Sequence, residues 1–204
     1  WIDPLELELA YDVVDLVDPQ TGGDLLDRVR ALRRKIALDM GVVIPPVRTR
    51  DSLDLPSSTY VVKVHGVEMG RGEAPPGMVL AIGDDLAGIP GTATVEPVFG
   101  LPARWVPAEM RHQAELAGAT VVDRSSVLTT HLAEVVRQSA GLLLSRQDTK
   151  ALVDMVKATD PAVVEELTPA LLGVGEIQRV LQGLLAENVP VRDLVRIFEA
   201  ISER

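Results

Sequence analysis

Residues 66–105, GVEMGRGEAPPGMVLAIGDDLAGIPGTATVEPVFGLPARW, constrain this chain more than any other stretch. They hold glycines at 66, 70, 72, 77, 83, 88, 91 and 100, and prolines at 75, 76, 90, 97 and 102. Glycine permits positive φ and close backbone approach, whereas proline fixes φ and removes an amide donor. A stretch so dense in both cannot be a long helix; it reads as short strands joined by tight turns. Amphipathic helices are expected on either side. The chain therefore reads as α+β: a small βαββ-type α/β domain with an inserted Gly/Pro-rich β module, followed by an all-α subdomain.

The flanks support that division. Leu5, Leu7 and Leu9 alternate with Glu6 and Glu8, and a strand with one buried face is expected over residues 5–17. Asp18 to Gly23 is a turn cluster, and Asp24 is placed to cap a helix. Leu25, Val29, Leu32, Ile36 and Met40 then form one helical stripe, and Gly41 is placed to end it in a left-handed cap. Arg28, Arg30, Arg33, Arg34 and Lys35 lie largely off that stripe, as a solvated face or a contact for an acidic neighbour. Strands are expected at 42–50 and 59–68, making a mainly one-sided sheet. A short helix at 108–117, a strand at 120–123 and a helix capped by Ser125 or Ser126 follow. Val127, Leu128, Leu132, Val135 and Val136 give that helix a broad apolar face. From Ser145 onward only helical stripes occur, broken at Asp160-Pro161 and at Asn188-Val189-Pro190. The expected domains are 1–74 with 124–144, an insertion at 75–123, and a helical subdomain at 145–204.

Composition narrows function. The net charge is −10, which argues against binding nucleic acid through its phosphates or docking on anionic lipid. Aromatics are only 3% of residues, so the core must be aliphatic and no row of exposed rings is available to stack on bases. There is no cysteine, which excludes disulfides, thiolate metal sites and a cysteine nucleophile. No apolar run approaches the ~20 residues needed to span a bilayer. Walker A, GxSxG, HExxH and GxGxxG patterns are absent. The Gly66–Gly72 run lacks the lysine and helix that would make it a phosphate loop. His65, His112 and His131 have no metal-ligand spacing, and Asp84-Asp85 reads as a solvated turn. No metal, no cofactor and no catalytic residue is expected. A competing enzyme reading would have to use Glu96, Asp123 and His131 in a cleft beside the insertion.

Four long segments carry a resemblance, in order and over nearly the whole chain. They are GGDLLDRVRALRRKIALDMGVVIPPVRTRDSLDL, then GVEMGRGEAPPG with GIPG and EPVFGLPARW, then VVDRSSVLTTHL, then RVLQGLLAENVPVRDL. Together they resemble the FlhA/LcrD/InvA family, the export-gate membrane proteins of bacterial flagella and related type III secretion systems. The resemblance implies a cytosolic piece of a longer protein at the cytoplasmic face of the inner membrane, with a transmembrane bundle before it and a further subdomain after it. It implies a non-enzymatic docking platform that assembles into a ring. Its partners would be export chaperones with bound substrates, and the export ATPase complex with its stalk. The implied chaperone site lies in a cleft between the first domain and the insertion. By motif, its residues here are Phe99, Glu96 (where many flagellar members have Asp), Thr130, and the apolar Val122 and Val127. KVHGVEMGRGE is nearer the flagellar form than the injectisome form; an injectisome gate is the alternative. On the residues alone, Phe99 is equally readable as an exposed docking group or as an anchor for its own loop.

Overall fold

In a computed structural model, residues 1–168 and 172–203 are described. Strand β1 (Leu5–Leu9) leads through two short 3-10 turns to α1 (Leu25–Met40), β2 (Arg48–Asp51), β3 (Thr59–Val64) and β4 (Val67–Glu73). Strands β5 (Met78–Ile82), β6 (Thr92–Val95) and β7 (Pro102–Pro107) follow, then α2 (Arg111–Leu116) and β8 (Thr120–Val122). The rest is helical: α3 (Arg124–Gln138), α4 (Ala140–Leu143), α5 (Arg146–Thr159), α6 (Pro161–Leu167), α7 (Val174–Ala186) and α8 (Leu194–Ser202). Two compact units result, one of Trp1–Arg30 with Val47–Val135, the other of Ala31–Pro46 with Val136–Arg204.

The first unit holds two four-stranded sheets. The first has the order β2-β1-β3-β4, with β1 and β2 parallel and the other pairs antiparallel. Parallel neighbours need a crossover, and α1 supplies it. Leu5, Leu7 and Leu9 are buried on one face. The opposite face is charged and paired across strands, with Lys63 Nζ 2.7 Å from Glu8. Val61 is also buried, so that face is less open than the alternation suggests.

Three expectations about this sheet change. The strand expected over 5–17 stops at Leu9, because Val13 buries itself through a 3-10 turn instead of continuing the ladder. Of 42–50 only Arg48–Arg50 are strand: Val42 and Ile44 are buried, but Pro45-Pro46 cannot donate to a ladder. The strand expected over 59–68 is a hairpin. His65 and Gly66 both take positive φ, 49° and 81°, the pattern of a two-residue type I′ turn. β4 thus makes the run βαβββ.

The second sheet, β6-β7-β5-β8, is antiparallel and drawn wholly from residues 78–122. Side chains alternate across it. Val79, Ala81 and Val106 pack with Ala114 of α2 on one face, while Leu80, Ala103 and Trp105 pack with Val127 of α3 on the other. The chain passes between the sheets at Ala74–Gly77 and returns at Asp123. Arg124 closes that neck. Its guanidinium donates to the Ala74 carbonyl at 2.8 and 3.0 Å and to the Asp12 carbonyl at 3.1 Å, and it pairs with Asp15 at 2.6 Å. The cap of α3 is Asp123, whose carboxylate accepts from the Ser126 amide at 2.7 Å, rather than either serine. Asp24, the expected cap of α1, turns its carboxylate to Arg28 and to the Ser125 hydroxyl.

In the second unit each helical stripe has a buried core, although Val180 of α7 is exposed and Ile197 of α8 is half-buried. Ile177, Leu181 and Leu185 of α7 and Phe198 of α8 are fully inaccessible. Ser145 and Asp148 form a reciprocal capping box at the start of α5. Pro161 opens α6 at its first position, where a missing amide costs nothing. Asn188, at φ 60°, ends α7. Gly41 ends α1 at φ 79° with its α-carbon against the Arg192 backbone, where a Cβ would lie 2.7 Å away. Among the described residues no helix is long and apolar enough to cross a membrane.

Candidate functional site

All five residues singled out above line one groove of about 280 Å³ on the first unit. Leu80 and Ile82 of β5, Thr120 and Val122 of β8, and Ser126, Val127 and Thr130 of α3 line it together with Glu96, Phe99 and Leu101 of the β6–β7 loop. Phe99 is 76% exposed and Leu101 45%. Thr130 is exposed, Val122 is half-buried and Val127 is buried. At 76% exposure the Phe99 ring is not a buried anchor for its own loop.

The loop that carries it joins β6 to β7 over residues 96–101. It is closed by two backbone hydrogen bonds, the Glu96 amide to the Leu101 carbonyl at 2.8 Å and the Gly100 amide to the Glu96 carbonyl at 3.0 Å. Gly100 has φ 71°, a left-handed residue that lets the loop turn back. The Glu96 carboxylate folds under the loop and is only 8% exposed. One of its oxygens accepts from the Val98 amide at 2.7 Å and the other from the Phe99 amide at 2.7 Å.

Beyond Glu96 the groove continues into a second cavity of about 330 Å³, lined by Arg71–Glu73 of β4, Thr94 and Val95 of β6, Trp105 and His131. Leu80, Glu96 and Val127 border both. His131 of α3 makes a long-range bond: Nδ1 shares a 2.7 Å hydrogen bond with the Tyr60 hydroxyl, and the two rings meet edge to face at 5.6 Å. Burial pushes the His131 imidazole below its ordinary value, against the pull of the Glu96 and Glu134 charges. Burial, and secondarily Glu96, raises the Tyr60 phenol.

The glycines of the VEMGRGE run make this arrangement possible. A Cβ on Gly72 would fall on the Tyr60 hydroxyl, and one on Gly70 would come 2.8 Å from Val135 and 3.2 Å from His131. They are a seat for α3 and the Tyr60 ring. Of the three groups an enzyme reading needs, Glu96 is spent on two amides, His131 on Tyr60, and the Asp123 carboxylate on the Ser126 amide, with Arg28 3.5 Å away. No cluster of three or more metal-ligating side chains occurs among the described residues.

The geometry defines an α+β protein with a largely apolar groove beside an exposed phenylalanine. The chain matches the FHIPEP family over residues 1–204 and belongs to it. It is 46% identical, over 99% of its length, to the flagellar biosynthesis protein FlhA of Bacillus subtilis, of which it spans 30%. Among solved structures, the CdsV protein of Chlamydia pneumoniae superposes at a TM-score of 0.82 with 25% identity, covering all of this chain and 60% of that one. The nonameric SctV-C of EPEC shares the fold at a TM-score of 0.68 and 20% identity, covering 98% of this chain and 59% of that one.

Proposed function

We propose that this chain is the cytosolic docking region of a flagellar type III export gate, at the cytoplasmic face of the bacterial inner membrane. In this reading it is no enzyme. It receives export chaperones with their bound substrates in the groove formed by Glu96, Phe99, Val122, Val127 and Thr130, between the first sheet's domain (1–74 with 124–144) and the inserted module (75–123). The helical subdomain (145–204) completes it. The observation that carries the reading is an exposed phenylalanine lining a largely apolar groove. An isolated exposed ring is ordinary, but Phe99, Leu101, Ile82 and Val122 are contiguous, and such a patch suits the apolar face of a partner helix. Identity of 46% to a flagellar relative, against 25% to CdsV, favours the flagellar branch over an injectisome. The nonamer formed by SctV-C supports a ring of the whole protein; the export ATPase and its stalk, implied by the family resemblance, are the further partners in this reading. Nucleic acid and lipid are not among them, on the charge argument above.

The test is calorimetric titration with a flagellar filament-type chaperone–substrate complex. Wild type binds, and Phe99→Ala binds measurably but at least tenfold more weakly, while its stability stays within about 1 kcal/mol, as for an exposed position. A folded Phe99→Ala that binds as wild type does would move the site elsewhere.

A further inference from the structure

Two residues of the groove have exchanged the places their chemistry would assign them: Glu96 is buried and the Phe99 ring is in water. We infer that Glu96 is a positioning residue, a clamp that folds the 96–101 loop so that Phe99 points outward, and that it does not act as a recognition charge for the partner. The inference rests on the docking reading of this groove.

Both carboxylate oxygens are committed, each to a main-chain amide of the same loop at 2.7 Å. These are charge-assisted bonds, stronger than neutral ones, and the acceptor is 8% exposed, so the partner meets little of the charge. The second of those amides belongs to Phe99 itself. A carboxylate that bonds amides two and three residues on sets the φ and ψ of the intervening backbone, here Pro97 and Val98, and hence the exit direction of the next side chain. Proline at 97 presents no amide of its own to compete. The partner's contribution is therefore an uncharged apolar side chain laid between Phe99, Leu101, Ile82 and Val122. Asp at position 96 is one methylene shorter, yet Asp accepts from amides two and three residues on in ordinary turns and caps, so it can keep the clamp. Ala cannot.

The experiment is a double-mutant cycle read by calorimetry with the same chaperone–substrate complex, together with amide proton shifts and exchange of Val98 and Phe99 in the chain alone. In Glu96→Asp both amides stay protected and affinity stays within about twofold. In Glu96→Ala both amides open and affinity falls by about tenfold, the worth of one charge-assisted bond. The variant carrying both Glu96→Ala and Phe99→Ala binds no more weakly than Phe99→Ala alone. Losses that multiply in the double variant would show Glu96 touching the partner directly and overturn the inference, as would amides still protected in Glu96→Ala. Absence of binding by wild type would overturn the docking reading instead, and the two amides would still judge the clamp.

Discussion

Gly72→Ala is the substitution whose cost can best be worked from this fold. Gly72 lies opposite Tyr60 in the β3–β4 ladder, and the tyrosine ring lies across it. The added Cβ would land on the hydroxyl, 2.5 Å from Cζ and 2.9 Å from Cε1. Tyr60 is wholly buried and cannot swing into solvent. Overpacking of this kind costs ~1–3 kcal/mol. Moving the hydroxyl off His131 Nδ1 sacrifices a buried hydrogen bond worth about 1 kcal/mol. Against this, alanine restricts the unfolded chain and returns ~0.4–1 kcal/mol. The net is a loss of about 2–3 kcal/mol, or roughly 5–10 °C in melting temperature for a chain of this size. Urea unfolding followed by tryptophan fluorescence reports it, since Trp105 is 4% exposed while Trp1 is fully exposed and silent to folding. Gly88→Ala is the control, because nothing lies within 4 Å of its Cβ position, and it should unfold as wild type does. A Gly72→Ala protein as stable as that control would refute the account of the VEMGRGE glycines as a seat for the Tyr60 ring.

Thr130→Asp puts a charge at an exposed position of the groove; docking should drop at least tenfold with the melting temperature unchanged, and undiminished affinity would exclude this wall. Arg124→Ala strips the Ala74 and Asp12 carbonyls of their donor, and should cost about 2–3 kcal/mol in denaturant unfolding. Lysine there cannot reproduce the fork, so Arg124→Lys should recover little. Because the folded-state value of His131 lies below its ordinary 6.5, the unfolded chain binds the proton more readily. The stability this histidine contributes is complete above the unfolded value and declines as pH falls below it. Urea midpoints taken from pH 7.5 to 5 should show that decline in wild type and less of it in His131→Asn; parallel curves would contradict the assignment.

The elements fixed by periodicity were legible, and those fixed by distant partners were not. The α1 stripe from Leu25 to Met40 is buried as its spacing requires, because helix amphipathicity is a local signal. The Leu5–Leu9 alternation is equally local. Its overrun to residue 17 came from Val13 and Val14, apolar residues that serve a 3-10 turn as well as a strand. The 59–68 hairpin was less legible because His-Gly is a weaker type I′ turn signal than Asn-Gly or Asp-Gly, although His65 takes φ 49°. At the groove, motif resemblance picked out five residues that share one cavity, while physics alone left Phe99 undecided. The Tyr60–His131 bond joins residues 71 apart, and no pattern in either segment foretells it. Glu96 was legible as an acid near Phe99, but whether its oxygens face a partner or their own loop depends on how residues 96–101 close.

Both passages of the chain between the sheets run through the neck at Arg124, where one side chain holds the outgoing strand at Ala74 and belongs to the residue that follows the return. Two ends held in hydrogen-bond contact need only a few residues to rejoin them. Loops within residues 75–123 can therefore be lengthened without re-registering β1 to β4, whereas deleting the stretch would take Leu80, Ala103 and Trp105 away from Val127 of α3. One contiguous block of sequence thus builds the whole second sheet, while the first sheet is drawn entirely from residues before it.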